Sequence, residues 1–198
     1  LIGIVAGIIG SAFRYIIHWG NDYRHEFMAS ATIEQIIIWI IIMMILGWCC
    51  HLLLKWAPLS GGSGIPKIEG EKKGIFNMNP FHTLLSKFFG GAITGIVGFS
   101  VGREGPSVQL GGATGKLLSN WFGSSLREER ILTSAGAAAG LTAAFSAPVS
   151  GAIFVFEEVH KSFYPKLVIA TFSATISSNL ITCLVFGITP RVGLSDID

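Results

Sequence analysis

The chain has 198 residues, 51% of them hydrophobic and 13% charged, with 25 glycines and a net charge of +2. An average soluble domain is about a quarter charged. Half that charge, with this much glycine and a mean hydropathy of +0.61, reads as an all-α integral membrane protein and not as a soluble domain. The small net charge and scattered basic residues give no case for a nucleic-acid partner. Three cysteines, of which Cys49 and Cys50 adjoin, and five dispersed histidines show no metal-ligand or disulfide spacing, so no metal and no cofactor are expected.

In chain order, Leu1 to about Trp19 is an apolar helix with Gly3, Gly7 and Ser11 on one face, suited to close packing in lipid. A polar loop is expected over Asn21 to Thr32. Ile33 to about Leu54 is the cleanest span, since Ile36 to Leu46 holds no charge. A long connection, Lys55 to Asn79, carries Ser60-Gly61-Gly62-Ser63-Gly64-Ile65-Pro66-Lys67. Phe81 to Phe99 reads as a helix, overlapping the apolar run Phe88 to Val101. Ser107 to about Phe122 is a glycine-rich helix. Arg127 to Arg130 is expected as a short surface turn, and Ile131 to Phe145 as an Ala/Gly helix whose Gly136 to Gly140 run serves packing. Ser146-Ala147-Pro148 breaks it, Val149 to Val159 restarts a short helix, and Tyr164 to about Phe186 is the last span. Both chain ends read as truncations, and the first apolar run lacks the charged flank and cleavage pattern of a secretory signal.

Several of these helices fall short of the roughly 20 residues needed to cross about 30 Å of hydrocarbon. Broken helices are tolerated only when buried in protein or lining a cavity, and they mark substrate sites in transporters. The basic residues Lys55, Lys67, Lys72, Lys73 and Lys87, against Arg14 and Arg24 at the first loop, place the Lys55 to Lys87 connection in the cytoplasm, with the N-terminus of the first helix on the same side.

Gly102-Arg103-Glu104-Gly105-Pro106 is the most informative stretch. A charge at the bilayer centre costs roughly 2.5 to 3.5 kcal/mol on insertion scales, so Glu104 is a functional candidate. Gly105 permits a sharp bend and Pro106 suits a first helical turn. Glu104 should therefore sit just before a helix N-terminus, where free N–H groups and the dipole attract negative charge. A carboxylate there can fill an anion site or swing out and admit an anion; a surface capping glutamate is the plainer alternative.

Ser63-Gly64-Ile65-Pro66 repeats that logic. Ser63 is a plausible N-cap, either an ordinary one or a hydroxyl that holds a dehydrated halide weakly enough to release it. The candidate anion-binding set is thus Ser63, Gly64 and Ile65 with Arg103, Glu104 and Gly105. A dinucleotide loop is excluded, because Gly62 to Lys67 lacks the third glycine, follows no strand and contains a proline. Glu157 and Glu158 close a helix at the end its dipole disfavours for acids. They are either an exposed helix end or include a proton-accepting carboxylate on an internal water path.

Gly62-Ser63-Gly64-Ile65-Pro66, Gly102-Arg103-Glu104-Gly105-Pro106 with Val108-Gln109, and the run Ala135 to Glu158 resemble the CLC family of chloride channels and chloride/proton exchangers, in order and over nearly the whole chain. The resemblance implies broken, tilted helices forming one half of an inverted-repeat transmembrane domain, with residues 1–198 as the first repeat and the second absent from this chain. It implies a homodimer with a pore in each subunit, in a bacterial-type inner or plasma membrane. Ser63 matches the family's anion-coordinating serine and implies chloride selectivity, Glu104 the gating glutamate, and Glu158 the internal proton-transfer glutamate of exchangers. The implied function is chloride/proton antiport, the alternative being a passive voltage- or pH-gated chloride channel. An intramembrane enzyme using Glu104 and Glu158 lacks a nucleophile beside a base and any metal pattern.

Overall fold

The computed structural model describes residues 1–99 and 102–187. Ser100 and Val101 of the apolar run, and the tail beyond Gly187, lie outside the described residues. The described chain is helical throughout: α1 Ile2–Ser30, α2 Ile33–Trp56, a 3-10 turn Pro58–Ser60, α3 Gly64–Lys72, α4 Pro80–Val97, α5 Glu104–Trp121, α6 Leu126–Phe145, α7 Pro148–Phe154, a π-helical turn Val155–His160 and α8 Pro165–Phe186. Among the described residues α1, α2 and α8 are long and apolar enough to cross a membrane.

The centre is α5 against α6, and glycine sets their separation. A Cβ on Gly111 would meet the carbonyl oxygen of Gly136 and the backbone of Gly140; one on Gly115 would meet Leu132 and Thr133. The backbones therefore touch, as the packing reading of Gly136 to Gly140 requires. The Gly3, Gly7 and Ser11 face of α1 bears on α8 in the same way, with Gly3 against Ala174 and Gly7 against Ser178. Ser11 Oγ lies 3.2 Å from Thr182 Oγ1, and Ser178 Oγ donates to the carbonyl of Ala139 at 2.7 Å. Helix α8 is thus inverted relative to a soluble helix. Thr171, Thr175, Ser178 and Thr182 are buried, while Ile169, Ile176, Leu180 and Leu184 face outward. Helix α2 has no buried residue and meets α4 and the 3-10 turn, with its isoleucines exposed. That distribution suits hydrocarbon as the surrounding solvent.

Three sequence expectations are corrected. The polar loop Asn21 to Thr32 is helix as far as Ser30, because its aromatics recur every fourth residue. Trp19 stacks on Tyr23 at 6.0 Å, Tyr23 on Phe27 at 6.5 Å, and Phe27 meets Trp39 of α2 at 5.3 Å. The Arg127 to Arg130 turn is the first turn of α6. Ser125 Oγ accepts from the N–H of Glu128 at 3.4 Å, and Glu128 accepts from the Ser125 N–H at 3.0 Å, closing a capping box. The Ser125 N–H and then its hydroxyl hold the Glu128 carboxyl below its ordinary range. The expected helix Val149 to Val159 is α only to Phe154 and continues as the π turn.

The connection Lys55 to Asn79 is ordered by charge. Lys116 Nζ, from α5, is buried and paired with Glu71; it also donates to Asn77 Oδ1 and to the Met78 carbonyl, each at 2.9 Å. Glu71 Oε2 accepts from the Met78 N–H at 2.6 Å. Removing one partner of so buried a pair costs about 3–5 kcal/mol.

Candidate functional site

The two Gly/Pro motifs meet. Helix α3 begins at Gly64 with Ser63 in the N-cap position, φ −68° and ψ 133°, yet the Ser63 hydroxyl makes no capping bond to its own helix. Helix α5 begins at Glu104 itself, three residues before the expected start at Ser107, with Arg103 as N-cap, so Glu104 is the first helical residue and does not precede the helix. A Cβ on Gly64 would collide with the carbonyl oxygen of Gly105 and with Gln109. A Cβ on Gly105 would lie 3.3 Å from both the Gly64 nitrogen and Ser63 Oγ. Two helix starts therefore press together, closed to any side chain at Gly64 and tight at Gly105, with Ser63 exposed beside them.

The electrostatics at this junction favour an anion. Each helix start carries unpaired N–H groups and the positive end of a dipole. Beneath the Ser63 turn, Lys87 Nζ is buried and donates to the carbonyls of Ser60 at 2.9 Å and Gly62 at 2.6 Å. Gln109 is fully buried; its Nε2 donates to the Leu59 carbonyl at 2.7 Å and ties α5 to the 3-10 turn. Lys87 and Gln109 were not singled out from sequence as parts of the site, although each is a polar residue within an apolar helix. Ile65, expected among the anion-binding residues, packs its side chain on the apolar cluster around Ile68 and Val108. Only its backbone can serve an anion.

Glu104 and Arg103 diverge. Glu104 is exposed to a cavity of about 290 Å³ lined by Leu141, Phe145, Ala147, Ser150, Gly151 and Phe154. Arg103 lines a second cavity, of about 390 Å³, with Asn21 and Arg24 of α1 and Pro106 of α5. The wall facing Glu104 is therefore the corner where α6 breaks into α7, which the Ser146-Ala147-Pro148 signal marks in sequence.

Glu157 and Glu158 lie beyond that wall, both exposed in the π turn. Helix α7 has seven residues, roughly 10 Å of rise, so it separates the Glu104 cavity from the glutamate pair by a fraction of a bilayer. The π turn is capped from α3: Lys72 Nζ donates to the carbonyl of Val159 at 3.4 Å and also pairs with that of His160. This places the glutamates on the same side as the Lys55 to Lys87 connection. The structure brings Ser63, Gly64 and Gly105 together, turns Glu104, the residue before Gly105, to the cavity at the α6/α7 corner, and sets Glu158 apart at the far end of α7. Among the described residues no group of acids, histidines and cysteines could hold a metal ion.

The fold and this junction define a polytopic helical membrane protein whose broken helices α3 and α5 meet at their N-terminal ends. Residues 42–197 match the family described as Voltage gated chloride channel, and the chain belongs to that family. The H(+)/Cl(-) exchange transporter ClcA of Vibrio cholerae is 34% identical over 194 residues, which is 94% of this chain and 42% of that protein. The ClcA of Cronobacter sakazakii is 36% identical over 190 residues, 91% of this chain and 40% of that protein. The X-ray structure of a slow cyanobacterial Cl-/H+ antiporter superposes with a TM-score of 0.86 at 26% identity, covering 98% of this chain and 47% of that one. The chain therefore spans less than half the length of these relatives.

Proposed function

We propose that this chain is the first repeat of a chloride/proton antiporter, completed by a second repeat that the chain itself does not contain. The observation that carries the reading is the contact of the two helix starts at Gly64 and Gly105, with the Ser63 hydroxyl uncommitted and a carboxylate on the first residue of α5. Such a junction holds a dehydrated anion by N–H groups and a hydroxyl, moderately enough for release. Glu104 competes with chloride for that position. Protonated, it loses the competition and swings toward its cavity, so the same side chain gates the anion and carries a proton.

Glu158 is the internal proton acceptor in this reading. A proton crossing from the cytoplasm needs a titratable relay, because bare charge in the membrane interior is costly. Anions passing Ser63 and protons passing Glu158 then share only Glu104. The relatives named as H(+)/Cl(-) exchange transporters support exchange over passive conduction. Their bacterial sources support a plasma-membrane location. Two subunits are proposed to pair through the outward face of α8 and the short helix α7. Simultaneous recording of chloride and proton flux from liposomes holding the complete transporter tests the reading. Proton uptake driven uphill by a chloride gradient is expected; chloride flux without proton movement would make the protein a channel.

A further inference from the structure

Arg14 is half-way along α1, a helix long enough to cross the membrane, and only 5% exposed. Sequence gives it a role as a loop-flanking charge; the fold puts it inside. A charge at such depth calls for a reason beyond stability. Among the described residues no carboxylate pairs with it. Its Nη1 donates instead to the carbonyl of Ala143 at 3.2 Å and to Ser146 Oγ at 3.0 Å, and its guanidinium lies 4.0 Å from the centroid of the Phe186 ring.

The acceptors identify what Arg14 does. Ala143 is in the last turn of α6, where four carbonyls lack helical partners and the dipole is negative. Ser146 is the C-cap residue, held at φ 56° and ψ 36°, a left-handed conformation uncommon for a residue with a side chain. Arg14 therefore caps α6 from a neighbouring helix and fixes a strained corner. On either side of that corner lie Phe145 and Ala147, and then Ser150 and Gly151, all of them walls of the cavity that receives Glu104.

We propose that Arg14 is a positioning residue of the gate: by holding the Ser146 corner it sets the wall against which the Glu104 side chain moves. The proposal rests on the reading of Glu104 as the gate. Without the guanidinium the corner loosens, Glu104 closes poorly behind a departing chloride, and anions slip without protons.

The test is a double-mutant cycle in liposomes holding the complete transporter, reading chloride flux and protons carried per chloride. Arg14→Met keeps the apolar volume and removes both donated bonds. Loss of hydrogen bonds from a buried charge should lower protons per chloride about ten-fold. Ser146→Gly removes the hydroxymethyl side chain and one of the two acceptors, and glycine tolerates the left-handed backbone. It should lower coupling about three-fold, and it serves if Arg14→Met does not assemble. In a Glu104→Gln background, where no gate carboxylate remains to be positioned, either change should leave chloride flux within about two-fold. Equal losses of chloride flux in both backgrounds would show a merely structural arginine, and wild-type coupling in Ser146→Gly would overturn the proposal. Glu104→Gln alone separates the two readings: if it leaves coupling intact, the gate assignment itself has failed.

Discussion

Lys72 Nζ donates to the backbone carbonyl of Val159 at 3.4 Å, so the helix capped by position 63, α3, ends on the turn that carries Glu158. Helix α3 is nine residues long, about 13 Å of rise. One short element thus joins the junction of the two helix starts to the glutamate turn. At the same rim Glu69 accepts from Lys161 and from Lys73, each at 2.8 Å.

That rim should loosen in acid. Hydrogen bonds from Lys161 first, and then Lys73, hold the Glu69 carboxyl down to about 2, below its ordinary 4.5. A depressed carboxylate contributes stability that is complete above the ordinary value and is lost as pH falls through the folded one. The difference in Tm between wild type and Glu69→Gln should therefore be constant above about pH 5 and close between about 4.5 and 2. A difference equally large at the acid end would contradict the pairing.

Gly64→Ala should damage the junction more than Gly105→Ala. The first Cβ meets backbone, the carbonyl oxygen of Gly105, which cannot yield without separating the helix starts. The second meets its neighbours at 3.3 Å, a shift of tenths of an ångström. Overpacking of the first kind costs about 1–3 kcal/mol. Calorimetric titration with chloride should show affinity weakened at least about ten-fold in Gly64→Ala and less in Gly105→Ala. Unchanged affinity in Gly64→Ala would dissociate the junction from anion binding.

The junction was largely legible in the sequence, and for a physical reason. Ser-Gly-x-Pro and Glu-Gly-Pro announce helix starts by backbone chemistry that tertiary packing does not override: α3 starts directly after Ser63 as expected, and α5 starts at Glu104, three residues ahead of the expected Ser107. Elements set by tertiary contact were not legible. The helical end of α1 looks like a loop because its polar residues mask the Trp19, Tyr23, Phe27 spacing. The π turn leaves no compositional trace, since Val155, Phe156 and Val159 suit an α-helix equally well. Arg14 reads as a boundary charge until α6 supplies its carbonyl. On α8 near-helical spacing alone does not separate the faces: Phe172 turns in to meet Phe156 at 6.1 Å, while Ile169, Ile176, Leu180 and Leu184 form the outer face.

That outer face gives a test of the proposed dimer. Ile169, Ile176, Leu180 and Leu184 are 67%, 53%, 61% and 83% exposed, whereas Thr175 is fully buried. In a background free of Cys49, Cys50 and Cys183, single cysteines at positions 176 and 180 should crosslink subunits under oxidation. A cysteine at position 175 should not. Absence of a crosslinked dimer at every outward position would remove α8 from the interface.

Replacing Glu158 should separate the two ions. Glu158→Val should lower protons per chloride at least about ten-fold with chloride flux retained, because no titratable group then relays the proton. Glu157→Gln should leave coupling closer to wild type. Coupling lost in Glu157→Gln and kept in Glu158→Val would transfer the role to the neighbouring acid.

The central claim is that Glu104 is both gate and proton carrier, and Glu104→Gln tests it most directly. A neutral amide mimics the protonated side chain but carries no proton, and it competes less for the junction of the two helix starts. Chloride and proton flux recorded together in liposomes should show chloride moving while proton transport falls to the level of protein-free vesicles. Protons still driven uphill by a chloride gradient in Glu104→Gln would contradict the account.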